Sequence, residues 1–323
     1  MRAIAAEAPA GRHTLDGLLL ATAIVGISLS GPLIATVAAP ALAIALWRNA
    51  LAVASLTPAL LRRSVRRELG RLSRRTVLLS IAAGGALAAH FALWLPSLRL
   101  TSVASSVALV TTTPIWTTVL LRLLGHRPPR LVWWGTLLSF SGVLLLTGVD
   151  LAISGRALAG DALALGGGLA GAVYVLIGAE VRRTTSTTSY TLLCYTAAAV
   201  PLLGAALATG AELTGYSAET WGKLLLLTVA SQLLGHSLLN RVVRGLGPSI
   251  TSTAILLETP GAAVIAAVWL GQLPPPAAYP ALAVILLGLV LVIRAERAGT
   301  APPAPPAPSR EPPRAHTTPR APA

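Results

Sequence analysis

The sequence predicts an all-α integral membrane protein of ten transmembrane helices, arranged as two inverted five-helix repeats. Three observations predict it: a composition too apolar for a soluble surface, an arginine distribution that alternates from loop to loop, and an internal repeat at an offset of 146 residues. Hydrophobic residues make up 54% of the chain and charged residues 11%, with a mean hydropathy of +0.73. A soluble domain carries roughly 25% charged residues, so this chain cannot clothe itself for water. A span needs about 20 apolar residues, and 323 residues leave room for the spans and short loops but for no sizeable soluble domain.

Taken in order, the apolar runs place spans at 15–34, 40–61, 76–96, 100–123, 131–149, 160–180, 189–209, 221–240, 248–271 and 277–295. These runs are helices, because backbone groups in lipid must be satisfied within their own segment. A barrel would show short alternating segments instead, and the sequence has none. Spans three and four meet around Arg99, and spans eight and nine around Gly245, with too few residues between them for anything but a tight hairpin. The expected organisation is an N-terminus at 1–14, a first repeat at 15–149, a linker at 150–159, a second repeat at 160–295 and a disordered Pro-rich tail at 296–323.

Arginine sets the orientation. With a cytoplasmic N-terminus, the inner loops hold Arg62, Arg63, Arg66, Arg67, Arg71, Arg74 and Arg75, then Arg122, Arg127 and Arg130, then Arg182 and Arg183, then Arg241 and Arg244, and the tail begins with Arg294 and Arg297. The outer loops hold Arg99, Arg156 and Lys223 beside Asp150, Asp161, Glu212 and Glu219. That is the positive-inside pattern for a multi-pass protein of the cytoplasmic membrane with both termini cytoplasmic. The net charge of +14 is therefore a topology signal that meets anionic headgroups, and no nucleic-acid partner is expected.

The repeat is carried by residues that composition does not supply freely. Thr113-Pro114 matches Thr259-Pro260, Leu124-Gly125 matches Leu270-Gly271, Pro128-Pro129 matches Pro274-Pro275, Gly142 matches Gly288, and His90 matches His236. About 13 of 59 positions agree between 90–148 and 236–294. An odd number of spans per half forces the second half to sit inverted, as in many secondary transporters. Pro114 and Pro260 are expected to kink spans four and nine symmetrically and shape a central cavity.

The same stretches resemble the EamA-type drug/metabolite transporter family across nearly all of 15–295. The resemblance rests on SLRLTSVASSVALVTTTPIWTTVLLRLLG at 97–125, GTLLSFSGVLLL at 135–146, LGHSLLN at 234–240, ILLETPGAAVIAAVWLG at 255–271 and LWRNALAV around Arg48. It implies ten helices in two inverted repeats and the export or exchange of metabolites, amino acids, drugs or nucleotide sugars. One departure is plain: where the family has Glu after the Leu-Gly that ends spans four and nine, this chain has His126 and Gln272. A site built on that carboxylate is not expected here.

Charges at membrane depth cost roughly 2.5–3.5 kcal/mol each on insertion scales, so the short list of polar residues within the spans invites an explanation. Glu258 is the foremost candidate for substrate or proton binding, since a carboxylate there can take up and release a proton; its repeat counterpart is Thr112. Arg48 is expected either to bind an anionic group, to pair with Glu258, or to snorkel to an interface. His90 and His236 fit a proton relay or a pair of interhelical hydrogen bonds, with Asn240 one turn beyond His236 on the same face. Trp94, Trp116 and Tyr174 are pocket-lining candidates. Two His without a carboxylate or Cys cluster make no metal site, Cys194 stands alone, and no cofactor or catalytic residue is expected. The chain lacks a G-x-x-x-x-G-K-[ST] loop, which excludes direct ATP hydrolysis of that type.

The expected function is a secondary transporter, working as an exporter by alternating access, that moves a small metabolite, an amino-acid-like solute or a drug, with protons as the candidate coupling ion. A homodimer is compatible with this reading and not required by it. The alternatives are a membrane scaffold or sensor without transport, and a membrane-embedded transferase, for which the interfacial loops offer mostly Arg and Pro.

Overall fold

The computed structural model describes residues 10–101, 106, 109–147, 155–270 and 278–300. The expected linker core, the Pro-rich tail beyond Thr300, most of the start of span four, and Gln272 with Pro274 and Pro275 lie outside them.

The described residues fold into helices, as lipid demands of a chain this apolar. In the first half these are α1 (Ala10–Ser28), α2 (Ser30–Thr36), α3 (Ala41–Leu56) extended by a 3-10 turn at Thr57–Leu61, α4 (Arg63–Leu69), α5 (Arg74–Ser97), α6 (Thr113–Leu123) and α7 (Arg130–Thr147). In the second half they are α8 (Gly155–Arg182), α9 (Thr187–Ala208), α10 (Ala218–Leu227), a π-helix at Thr228–His236, α11 (Ser237–Ile255), α12 (Glu258–Leu270) and α13 (Ala278–Thr300). Ser73, Ser186 and Ser217 cap α5, α9 and α10, each accepting from a backbone N–H three residues on. A capping hydroxyl satisfies one of the donors a helix start leaves orphaned.

Among the described residues, six helical stretches are long and apolar enough to cross a membrane: Thr14–Ile34, Ala41–Leu61, Arg74–Ser97, Gly155–Arg182, Thr187–Ala208 and Ala218–Ile255. Arg130–Leu145 and Tyr279–Ala295 are shorter apolar helices. The stretch from 218 to 255 covers the expected span eight and the start of span nine, and its backbone leaves the helix at Gly247 (φ 79°, ψ 166°), just before Pro248. A left-handed φ followed by Pro is where glycine is required and a helix is interrupted. The last helix runs to Thr300, a few residues into the segment expected to be disordered tail.

The two halves interlock by corresponding pairs. Helix α5 of the first half packs along α8 of the second, and α1 of the first packs along the π-helix and α11 of the second. Helix α6 meets α8 as α12 meets α1, and α7 packs along α13. The α7–α13 crossing is close because its residues are small: a Cβ on Gly135 would fall 2.7 Å from the Gly288 carbonyl, and one on Gly142 2.9 Å from that of Ala281. Ser139 donates to the Ile285 carbonyl at 3.0 Å across the same seam. Such stripes let helix backbones approach in lipid, where apolar side chains gain nothing from leaving solvent.

The bundle is apolar outside, and within a largely apolar core it buries many polar side chains. Leu18, Val25, Leu78, Ile81, Trp134, Val200, Leu207, Val229, Leu286 and Leu287 are exposed, whereas Arg48, Asn49, Gln232 and a large set of Ser and Thr hydroxyls are buried. An exterior this rich in large apolar side chains suits a lipid surrounding.

Candidate functional site

Both halves break a helix at matching places. In the first, Leu109 and Val110 are helical, Thr111 and Thr112 turn, and α6 starts at Thr113. In the second, α11 ends at Ile255, Leu256 and Leu257 turn, and α12 starts at Glu258. The kinks expected at Pro114 and Pro260 therefore take the form of breaks, with each Pro in the first turn of a new helix. The missing N–H does no harm there, since those donors have no partner within the helix. Thr113 Oγ1 bridges the first break, donating to the carbonyls of Val110 at 3.0 Å and Gly168 at 3.1 Å. Gly168 permits this approach: a Cβ on it would lie 2.8 Å from both Thr112 Oγ1 and the Val110 carbonyl.

The breaks face a cavity of about 50 Å³ walled by both halves. A single water needs roughly 10–15 Å³ by the same measure, so the cavity has room for a few waters in this conformation. The first half contributes Ile27, Ser30, His90, Trp94, Val110, Thr111 and Thr113; the second contributes Tyr174, Ser231, His236, Asn240, Thr251 and Glu258 among others. Of the residues singled out from sequence, Glu258, His90, His236, Asn240, Trp94 and Tyr174 are brought together on this wall. Thr112 and Trp116 are not. They face each other, Trp116 Nε1 donating to Thr112 Oγ1 at 3.1 Å, while Thr111 and Thr113 on either side line the cavity. His126 is exposed at the end of α6, away from the cavity wall.

The polar groups of the wall divide into satisfied and unsatisfied. His90 Nδ1 donates to the Gly167 carbonyl at 2.8 Å, which leaves Nε2 as the acceptor of a neutral ring. Asn240 Nδ2 donates to Tyr174 Oη at 2.6 Å. The His90 and His236 rings stand 6.5 Å apart, edge to face, with Phe91 and Tyr174 beside His236. Two buried nitrogens of the wall, Trp94 Nε1 and His236 Nδ1, have no hydrogen-bond partner among the described residues. Buried polar atoms left open in a native fold call for a water, an ion or a ligand.

Arg48 lies behind the wall. It is fully buried, which removes the snorkelling alternative. Its Nε donates to Gln232 Oε1 at 2.9 Å, Nη2 to Ser231 Oγ at 3.0 Å and Nη1 to Ser30 Oγ at 3.5 Å, and the guanidinium sits 4.2 Å over the Phe91 ring. Gln232 Nε2 in turn donates to Asn49 Oδ1 at 3.1 Å. Arg48 and Glu258 are within electrostatic reach, yet no ion pair joins them among the described residues. Ser231 and Gln232 sit in the π-helix, whose widened turn presents them to Arg48 on one side and His236 to the cavity on the other. Asn49, Ser231 and Gln232 were missed from sequence. The only signal was the Ser-Gln pair inside an otherwise apolar run.

A lipid-type exterior around a cavity that is shared by two related halves and carries a carboxylate and two histidines defines a multi-pass membrane protein of the transporter type. The chain belongs to the EamA-like transporter family, whose model matches residues 17–148 and 158–294, one match per half. No curated relative matches the sequence. Among 29 matching solved chains, one described as "Crystal structure of protein" superposes with a TM-score of 0.69 at 17% identity, covering 89% of this chain and 99% of that one. At that identity the likeness speaks for the fold alone.

Proposed function

We propose that this chain is a secondary transporter of the cytoplasmic membrane that exports a small metabolite, amino-acid-like solute or drug by alternating access, with Glu258 taking up and releasing the coupled proton. The observation that carries the proposal is the convergence of two matched helix breaks, one carboxylate and two open buried nitrogens on a single cavity between the halves. Broken helices around a central site are how inverted-repeat transporters expose backbone and side-chain polarity at membrane depth. In this reading the chain crosses ten times, the halves are inverted, and both termini are cytoplasmic. Glu258 carries the exchangeable charge, His90, His236, Asn240 and Tyr174 orient the solute, and Trp94 closes one wall. Arg48 acts through Ser30 and Ser231, which line the cavity, and does not reach the solute itself.

Metabolite profiling of cells with and without the protein, followed by flux of the leading solute in proteoliposomes, tests the proposal. Glu258→Gln is expected to lower coupled flux by tenfold or more at unchanged folded yield. Undiminished, pH-independent flux in that variant would remove Glu258 from the role. No flux of any profiled solute would favour a scaffold or sensor.

A further inference from the structure

The Arg-rich segment between α3 and α5 holds one carboxylate that does not behave as part of a solvated charge run. Glu68, in α4 of the first half, reaches the start of α9 in the second half. Its Oε1 accepts from the Ser186 backbone N–H at 2.6 Å, and its Oε2 accepts from Ser186 Oγ at 2.6 Å and Ser189 Oγ at 2.8 Å. Beside it Arg75, on α5, pairs with Glu180 on α8 at 3.1 Å. The first is a three-fold, charge-assisted grip on a helix N-terminus, where backbone donors and the helix dipole both favour an anion. The second is an exposed pair that holds little by itself.

The grip lies under the cavity floor. One residue past Ser189, Tyr190 is fully buried, and its hydroxyl lies 2.8 Å from where a Cβ on Gly178 would sit, with Asn240 Oδ1 at 3.7 Å from the same point. The buried guanidinium of Arg182 donates through Nε to the backbone carbonyl of Asn240 at 2.8 Å and through Nη1 to the carbonyl of Thr185. Asn240 is a wall residue of the cavity. From the cavity outward, the closure therefore runs Asn240, Tyr190 with Arg182, Ser189 with Ser186, and Glu68. The opposite end is tied differently: Trp47 Nε1 donates to the Leu213 carbonyl at 2.8 Å and Lys223 Nζ to the Thr36 carbonyl at 3.0 Å, so both of these contacts between the halves end on backbone carbonyls, and Glu219 pairs with Lys223 only within their own helix, at 2.6 Å.

We infer that Glu68 is the latch that keeps the cavity closed at its Arg-rich end, and that opening there requires α9 to leave this carboxylate. The inference rests on the alternating-access reading above. A latch that holds only one state sets the balance between states by its own differential contacts.

The test is thiol labelling of Thr251→Cys, a cavity position, in a Cys194→Ala background, with a membrane-impermeant methanethiosulfonate applied from either face of oriented vesicles. Glu68→Ala is expected to raise the labelling rate from the Arg-rich face about tenfold and to leave the other face unchanged or slower. Equal rates from the Arg-rich face with and without Glu68, including no labelling in either, would overturn the latch. If Glu68→Ala does not yield folded protein, Ser186→Ala with Ser189→Ala removes two of the three donors and is read by the same two outcomes. Labelling needs no solute. A shift in labelling without any flux therefore keeps the latch and sinks the transport reading, whereas flux with no shift sinks the latch alone.

Discussion

At the residue scale, the guanidinium of Arg48 sits fully buried on three neutral acceptors and an aromatic face. Removing a partner that buried polar atoms depend on costs about 1–3 kcal/mol per stranded group. Arg48→Met strands Ser231 and Gln232, and Arg48→Lys cannot serve a forked set of acceptors with one ammonium. Both variants are expected to lower the thermal midpoint in detergent by several degrees, with Met the more severe; an unchanged midpoint would show that the network holds nothing. Glu68 gives a pH dependence of known sign. Burial pushes its carboxyl up, but hydrogen bonds from Ser186 and Ser189 and the nearby Arg182 charge outweigh this and hold it below the usual carboxylate range. A depressed carboxyl contributes stability that is present above its unfolded pKa and lost as pH falls through the folded one. The Ser186–Glu68 contact should thus be intact at neutral pH and fail only in acid, below the ordinary carboxylate range, and Glu68→Gln should flatten that acid limb in a thermal-stability profile. The wall residues Glu258, His90, His236 and Asn240 were legible in the sequence because each is polar in an apolar run. Glu68 was not, because it sits among arginines that read as topology, and its partners lie 118 and 121 residues away.

At the element scale, the matched Thr-Pro pairs pointed to the right places and to the wrong distortion. A Pro within an apolar run reads as a kink, but these two fall in first turns, and nothing local to Thr111-Thr112 or Leu256-Leu257 announces a break. The breaks are held by distant groups, such as the Gly168 carbonyl that receives Thr113. The π-helix was equally hidden, since its extra residue is fixed by Arg48 from another helix. The α7–α13 seam yields a direct prediction. Gly142→Val would drive side-chain atoms into the Ala281 carbonyl and Ile285 nitrogen, at 2.9 and 3.0 Å from the first added carbon. Overpacking of this kind typically costs about 1–3 kcal/mol. Monodisperse yield after a heat step should fall for Gly142→Val and hold for Gly85→Ala, whose Cβ meets nothing within 4 Å. Equal yields would mean that the seam is loose.

At the scale of the whole molecule, composition, arginine alternation and the repeat made the class of fold readable before any geometry. The apolar runs predict ten crossings, whereas among the described residues six helical stretches are long and apolar enough to span, the others being short, broken or fused across Gly247. What locks the two halves together is the pairing of corresponding helices, α5 on α8 and α1 on the π-helix and α11, which no local pattern reveals. The proposed alternating access requires that the halves be inverted, since a cavity between inverted halves can open to either face by exchanging their roles. The segments 62–75 and 211–219 join equivalent helices of the two halves, α3 to α5 and α9 to α10. Sided reporters placed in each are the most direct test. The 62–75 fusion is expected to report the cytoplasm and the 211–219 fusion the outside; both fusions reporting the same side would contradict inversion.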